Sequence, residues 1–330
     1  MTATIRSVQS DSLGPIDLYR LVDCAESEPG PGEVAVRVRM AGVSFVDVLI
    51  AAGGYQLEFA LPHRPGSEFS GIVERVGAGV TSVAPGDRVF GVAHRGTLAE
   101  KTMALEGAIH RMPPDMSFEQ AAVFRASYST AYYALARRAQ LKAGETVLVL
   151  GAGGAVGAAG VQIARAMGAR VIASVSTDAK ADAAREAGAD AIVRTGGADW
   201  RDRLREETGG RGVDVVLDPV GGTLSEQAFR SLAWGGRHLV IGFTSGEISK
   251  LALNLPLLKG SALVGVDIRQ YRLREPDDAA RMMEELMDLR GRHGFQARIA
   301  HVLPLADFAE AMRRAQSGAE PGRILVEMEP

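Results

Sequence analysis

One eight-residue stretch constrains this chain more than any other: Leu150-Gly151-Ala152-Gly153-Gly154-Ala155-Val156-Gly157. It follows TVLVL (146–150), an apolar run with the character of a buried strand, and it opens a segment from Gly154 to Met167 that reads as a helix. Gly151, Gly154 and Gly157 recur at three-residue spacing, and Ala152-x-Gly154-x-x-Gly157 is a dinucleotide fingerprint with Ala in first place. Small residues are needed there for a tight turn, for close approach of backbone to a pyrophosphate, and for close packing of helix on strand. The helix N-terminus adds free N–H groups and the positive end of a dipole. The alternative is a tightly packed glycine turn without a ligand. The downstream pattern favours the fingerprint. The strands RVIASV, DAIVR, VDVVLD, RHLVIG and ALVGV continue the chain, with helices at 178–187, 199–207 and 223–232 between the earlier ones. Such β/α alternation predicts a doubly wound parallel sheet.

Composition supports a globular chain: 46% of residues are hydrophobic and 23% charged, which excludes a disordered polymer. The formal net charge of −3 gives no global attraction to nucleic acid or to anionic membranes, so neither is expected as a partner. With Cys24 as the single cysteine, an intramolecular disulfide and a cysteine-cluster zinc site are both excluded. Thr146 to Ala164 runs 19 residues without a charge and could mimic a membrane span. It holds five glycines and Gln162, and reads better as buried strand plus buried helix. The opening MTATIRSVQSDSLG has no hydrophobic core of a secretory signal. A soluble cytoplasmic protein is expected.

Residues 1–120 read as β-rich. EVAVRVRM (33–40) alternates apolar and charged side chains, GIVERVG is a second strand between turn residues, and Pro85-Gly86-Asp87 is a turn before Arg88–Phe90. Short strands with frequent turns predict an antiparallel sheet or partial barrel. After about residue 268, a charged helix (277–290), a second helix (305–316) and the strand ILVEM have no place in the β/α series and are expected to rejoin the N-terminal domain. The six histidines, at 63, 94, 110, 238, 293 and 301, are scattered, and each reads as structural or solvated. There is no HExxH, no phosphate-loop GxxxxGK[ST] and no GxSxG elbow.

Taken together, AGVSFVDVLIAAGGY (41–55), LPHRPGSEFSGIVERVGAGV (61–80), PGDRVFG (85–91), STAYYAL (129–135) and LKAGETVLVLGAGGAVGAAGVQIARAMGARVI (141–172) carry a resemblance. The chain resembles the zinc-independent, zeta-crystallin-like quinone oxidoreductases of the medium-chain dehydrogenase/reductase superfamily. That resemblance implies an α/β protein in which a Rossmann cofactor-binding domain (123–268) joins a β-rich GroES-like catalytic domain (1–122 and 269–330). It also implies NADPH as cofactor and a homodimer joined through the Rossmann sheets. Zinc alcohol dehydrogenases of the superfamily carry ligands at positions that here are Ser44, Ser67 and Ala126, and no metal is expected. Asp47 and Glu68 match residues that surround the zinc, and without a metal they are expected to hold the fold or a water network. Tyr55, Thr130 and Ser44 are the implied catalytic set. For Thr130 the alternative is a helix N-cap, and for Tyr55 a loop anchor. Arg125 and Tyr128 lie beside the lost zinc position without an assigned role.

The resemblance implies a cofactor set of Ala152, Gly153, Gly154, Ala155, Val156 and Gly157 of the turn, then Val220 after the fourth strand, Gly242 and Phe243 at the end of the fifth, and Val266 in the sixth. Val175 falls where an NAD site usually places a carboxylate. Its neighbours Ser174 and Ser176, with Lys180 in the next helix, are expected to take a 2′-phosphate, so NADPH is expected over NADH. Asp178 is read as a solvent-facing residue at the start of that helix. Arg194, where many relatives have an aromatic residue, and Arg323, in place of a basic residue that would fall near Gly318, are also expected to contact the cofactor. Two other functional readings stay open: an enoyl-thioester or alkenal reductase, and a non-catalytic NADPH-binding protein of crystallin-like or RNA-binding type.

Overall fold

The computed structural model describes residues 4–56, 58–93 and 96–328. The chain forms two compact units. The first comprises Met1–Ala126, Arg298–Ala319 and Arg323–Pro330; the second comprises Ser127–Ala297 and Glu320–Gly322.

The first unit is built on a seven-stranded sheet around Glu33–Val43, which pairs with Glu68–Val76, Lys101–Leu105 and Arg323–Glu327. Pairing is antiparallel throughout except for Ile299–Pro304 beside Arg323–Glu327. Alternation in EVAVRVRM places Val34, Val36 and Val38 in the core and leaves Arg37 exposed. Val34, Val36, Phe69, Val89 and Leu325 have no exposed surface, and burial of this size is the main stabilising term of the unit. Helix Phe308–Ser317 covers one face through Phe308, Ala311 and Met312.

The second unit is a six-stranded sheet, entirely parallel. In chain order its strands are Thr146–Leu150, Arg170–Val175, Ala191–Arg194, Val213–Asp218, Leu232–Val240 and Ala262–Gly265, and in space they run third, second, first, fourth, fifth, sixth. The uncharged stretch from Thr146 divides as its glycines predict, into the first strand and helix Ala155–Ala166. Among the described residues no helix is long and apolar enough to cross a membrane. The fold is therefore the α/β Rossmann plus GroES-like arrangement.

The tail differs from expectation. Helices Ile268–Arg274 and Pro276–His293 belong to the second unit, and the chain rejoins the first at Arg298 rather than 269. Side-chain contacts give the reason. Tyr271 stacks on Tyr133 at 4.2 Å, and Arg137 pairs with Asp278 at 3.2 Å and Glu285 at 2.9 Å. Both anchors lie on the π-helical segment Tyr133–Arg138, which continues helix Arg125–Tyr132.

Candidate cofactor and substrate site

In an open parallel sheet, ligands bind beyond the carboxyl ends of the strands where the strand order reverses. Here the reversal lies between the first and fourth strands, so the turns at 151–154 and 218–222 flank it. In the first turn the Gly154 N–H donates to the Gly151 carbonyl at 2.9 Å, and Gly154 caps helix Ala155–Ala166 without any side-chain hydrogen bond. The helix thus offers its N-terminal N–H groups outward, as a pyrophosphate requires. Ala152, Gly153 and Gly157 are buried, Ala155 and Val156 half-buried, and Gly154 exposed. A Cβ added to Gly157 would lie 2.2 Å from the Gly151 carbonyl oxygen, so helix and turn touch there as the fingerprint demands.

At the end of the second strand Val175 is buried, and the segment beyond it turns outward. Ser176 is exposed. Lys180 is half-buried in the first turn of helix Asp178–Glu186, whose N-cap is Thr177. The Lys180 stem lies against the glycine turn, with its Cγ 2.7 Å from a Cβ built on Gly153. Arg194 ends the third strand and donates to Asp178 at 2.8 Å and to the Ser176 carbonyl at 3.0 Å. Asp178 is fully exposed in the first helical turn. Lys180, Ser176 and Arg194 therefore share one sheet edge, and they suit a phosphate. Ser174 does not join them. It has no exposed surface, and its hydroxyl accepts the Trp200 indole N–H at 3.0 Å, because strand alternation turns it to the opposite face from Val175.

On the other side of the reversal, Asp218 ends the fourth strand. Its Oδ1 accepts the N–H groups of Val220 and Gly221 at 2.8 and 2.9 Å, and its Oδ2 accepts from Ser225 and from His238 Nε2. Burial alone would push this carboxyl up. The hydrogen bond and charge of His238, with those from Ser225 and Gly221, hold it below the usual carboxylate range. Gly242 and Phe243 lie just past the end of the fifth strand rather than within it, and Val266 follows the sixth. Thr130 is half-buried in the interior of helix Arg125–Tyr132, so it is not an N-cap. Tyr128 is buried, stacks on Phe295 and donates to Gln162, a packing role.

The first unit brings Ser44, Asp47, Ser67, Glu68, Ala126 and Arg323 together. Ser44 caps helix Phe45–Ala51 in a reciprocal capping box with Asp47. The hydroxyls of Ser44 and Ser67 donate to the two Asp47 carboxylate oxygens at 2.6 and 2.7 Å. Glu68 accepts the Ala126 N–H at 2.6 Å and pairs with Arg323 at 3.0 Å. Burial pushes both carboxyls up, against the hydrogen bonds and the Arg323 charge that pull them down. These residues do not fit a zinc ion. Two hydroxyls and an alanine stand at the ligand positions, and both carboxylates are already engaged by protein donors. Arg323 is consequently corrected from a cofactor contact to the buried counter-ion of Glu68. Gly318 is the left-handed C-cap of helix Phe308–Ser317. Tyr55 lies half-buried in the bend after helix Phe45–Ala51.

Sequence reading missed the Asp218–Ser225–His238 cluster. A histidine inside the apolar strand RHLVIG was the available signal. Four other histidines have structural neighbours: His63 with Tyr19, His110 with Phe90, His293 with Phe295 and His301 with Arg314. His94 lies outside the described residues.

Comparison with known proteins agrees with this fold. Residues 30–131 match the alcohol dehydrogenase GroES-like domain, and residues 155–288 match the zinc-binding dehydrogenase family. The chain is 35% identical over 300 residues to quinone oxidoreductase-like protein 2 of Mus musculus, covering 91% of this chain and 86% of that protein. A mycobacterial protein solved in complex with NADPH superposes with a TM-score of 0.90 at 30% identity, over 98% of this chain and 99% of that one. The CurK enoyl reductase superposes with a TM-score of 0.89 at 26% identity, over 98% and 99%. The chain belongs to the quinone oxidoreductase-like family of the medium-chain dehydrogenase/reductase superfamily.

Proposed function

We propose that this protein is an NADPH-dependent reductase of quinones and related α,β-unsaturated carbonyl compounds. The observation that carries the reading is the first Rossmann turn: a side-chain-free helix N-terminus, with the Lys180 stem laid against Gly153 and Arg194 beside Ser176. When bound, NADPH supplies a hydride. The protein's part is to bind and orient. The turn holds the pyrophosphate, Lys180, Ser176 and Arg194 take the 2′-phosphate, and Val220, Gly242, Phe243 and Val266 place the nicotinamide. Thr130, Ser44 and Tyr55 are the residues proposed as catalytic. Catalysis is then chiefly proximity and orientation. A carbonyl-conjugated acceptor suits a site whose donors do not fit a metal, since it takes hydride without an ionised hydroxyl.

The enoyl reductase reading has one observation of its own, the close superposition with CurK. NADPH oxidation against ortho-quinones, para-quinones, enals and enoyl-thioesters decides between them. Fastest turnover with quinones supports the proposal; turnover confined to enoyl-thioesters replaces it, and no turnover with any acceptor favours a cofactor-binding scaffold.

We further propose a homodimer through the second unit. Its sixth strand, Ala262–Gly265, is an exposed sheet edge, and Leu263, Trp234, Leu253, Leu257 and Leu258 are exposed on the same unit. An unpaired edge with adjacent apolar surface is completed by a second copy pairing edge to edge.

A further inference from the structure

His238 is deeply buried on the fifth strand, level with Val216 on the fourth. Its ring reaches one side-chain pair along the same face to Asp218. Asp218 Oδ2 is an acceptor, so Nε2 carries the hydrogen, and Nδ1 is buried without a hydrogen-bond partner among the described residues. An apolar residue would avoid leaving that nitrogen unsatisfied. The ring is therefore explained by what its donated bond does, not by its own solvation.

That bond ends in the turn at the reversal of strand order. One carboxylate oxygen of Asp218 is held by Ser225 and His238; the other holds the Val220 and Gly221 N–H groups. Gly221 and Gly222 are both left-handed, with φ of 76° and 67°, so the turn depends on being held. Its groups then lock the next loop. The Pro219 carbonyl accepts from Thr244, the Val220 carbonyl accepts the Ser245 N–H at 2.9 Å, and the Gly222 N–H donates to Glu247 at 3.0 Å. Toward the glycine turn, Val220 Cγ2 lies 2.8 Å from a Cβ built on Gly151. One buried carboxylate thus sets the loops that carry Val220, Gly242 and Phe243.

We propose that His238 is a positioning residue for the nicotinamide cofactor, acting with Ser225 through Asp218 to fix the Val220–Gly222 turn. The proposal rests on the dinucleotide reading of the glycine turn. The test uses the full-length chain, with NADPH as the probe. Dissociation constants come from fluorescence titration, KM for NADPH and for the acceptor are measured separately, and melting is followed without cofactor. His238→Leu is expected to raise Kd and KM for NADPH about tenfold or more, the factor one charge-assisted hydrogen bond is worth, with KM for the acceptor unchanged. His238→Gln, which restores an N–H near the Nε2 position, is expected to recover most of that loss. A lower melting temperature in His238→Leu with unchanged NADPH affinity would make the ring merely structural and overturn the proposal. Should His238→Leu fail to fold, Ser225→Ala serves: weaker NADPH binding supports the proposal and unchanged binding overturns it. Wild-type protein that does not bind NADPH at all overturns the dinucleotide reading itself, an outcome distinct from unchanged affinity in the variants.

Discussion

Gly157 and Gly160 lie one turn apart on the same buried helix, and the structure predicts opposite fates for them. A Cβ on Gly157 would meet the Gly151 carbonyl oxygen at 2.2 Å and the Ala152 Cα at 2.8 Å. Both are backbone atoms of the turn proposed to hold the pyrophosphate, and neither can rotate away. Helix and turn must separate instead, which costs about 1–3 kcal/mol as overpacking. Ala gains roughly 0.5–1 kcal/mol over Gly inside a helix, so the net loss for Gly157→Ala is about 0–2.5 kcal/mol. At 2–4 °C per kcal/mol that is a drop of up to about 10 °C in Tm. The same displacement moves the helix N–H groups, so NADPH affinity is expected to fall at least about tenfold, the loss of one strong hydrogen bond. A Cβ on Gly160 would meet only the Leu217 side chain, with Cδ2 at 2.8 Å. Leu217 can repack, and the helix gain offsets the cost, so Gly160→Ala is expected within about 1 kcal/mol of wild type with cofactor binding intact. Differential scanning calorimetry and NADPH titration on both variants check this. Wild-type stability and affinity in Gly157→Ala would refute the reasoning.

Lys180→Ala is expected to weaken NADPH about 10- to 150-fold and leave NADH nearly unchanged, read as kcat/KM for the two cofactors. Asp178→Asn is expected to tighten NADPH slightly and spare NADH; selective loss of NADH would identify Asp178 as a ribose ligand instead. Arg323→Met leaves Glu68 without its counter-ion and is expected to cost about 3–5 kcal/mol near neutral pH. Because Asp47 and Glu68 are both pushed up in the folded state, their contribution is present at acid pH and fades as pH rises through the raised values. The variant's deficit should therefore shrink toward pH 5, and an equal deficit at pH 5 and 8 in denaturant titrations would contradict the assignment. Leu263→Lys is expected to convert a dimer to monomer by light scattering; an unchanged mass would remove the sixth-strand edge from the interface.

The Rossmann half was legible because its signals are local. Strand, glycine turn and helix follow one another directly between Thr146 and Ala166, and period and turn chemistry report on neighbours in sequence. Lys180 lies in the helix that follows the second strand, as expected. Long-range partners were not legible. Arg323 lies 255 residues from Glu68, and nothing in the residues around either says that they meet. Ser174 shows a subtler failure. Ser174 and Ser176 fall on the same face by alternation, yet the strand ends at Val175, and beyond it the chain turns outward while Ser174 stays against Trp200. The tail boundary was misplaced for a related reason. Helices after residue 268 break the β/α alternation, but their domain is decided by what Tyr271, Asp278 and Glu285 touch.

The carboxylate at Asp178 is the strongest objection to NADPH, and its geometry answers it. The side chain is 97% exposed, and its ion pair with the half-buried Arg194 spans 2.8 Å. Such pairs contribute about 0–1 kcal/mol, so the carboxylate holds Arg194 only loosely. A 2′-phosphate carries nearly twice that charge and presents several acceptors to a planar guanidinium. If NADPH binds as proposed, its phosphate can take the place of Asp178 on Arg194 at little cost. Lys180 does not have to move so far, because its stem already lies along Gly153. A ribose-binding carboxylate would need the opposite arrangement: seated at the strand end where Val175 is buried, and free of a neighbouring cation. The segments that follow the second strand and end the third thus carry two cations, Lys180 and Arg194, and one exposed anion, Asp178, a balance that a dinucleotide without the phosphate does not exploit.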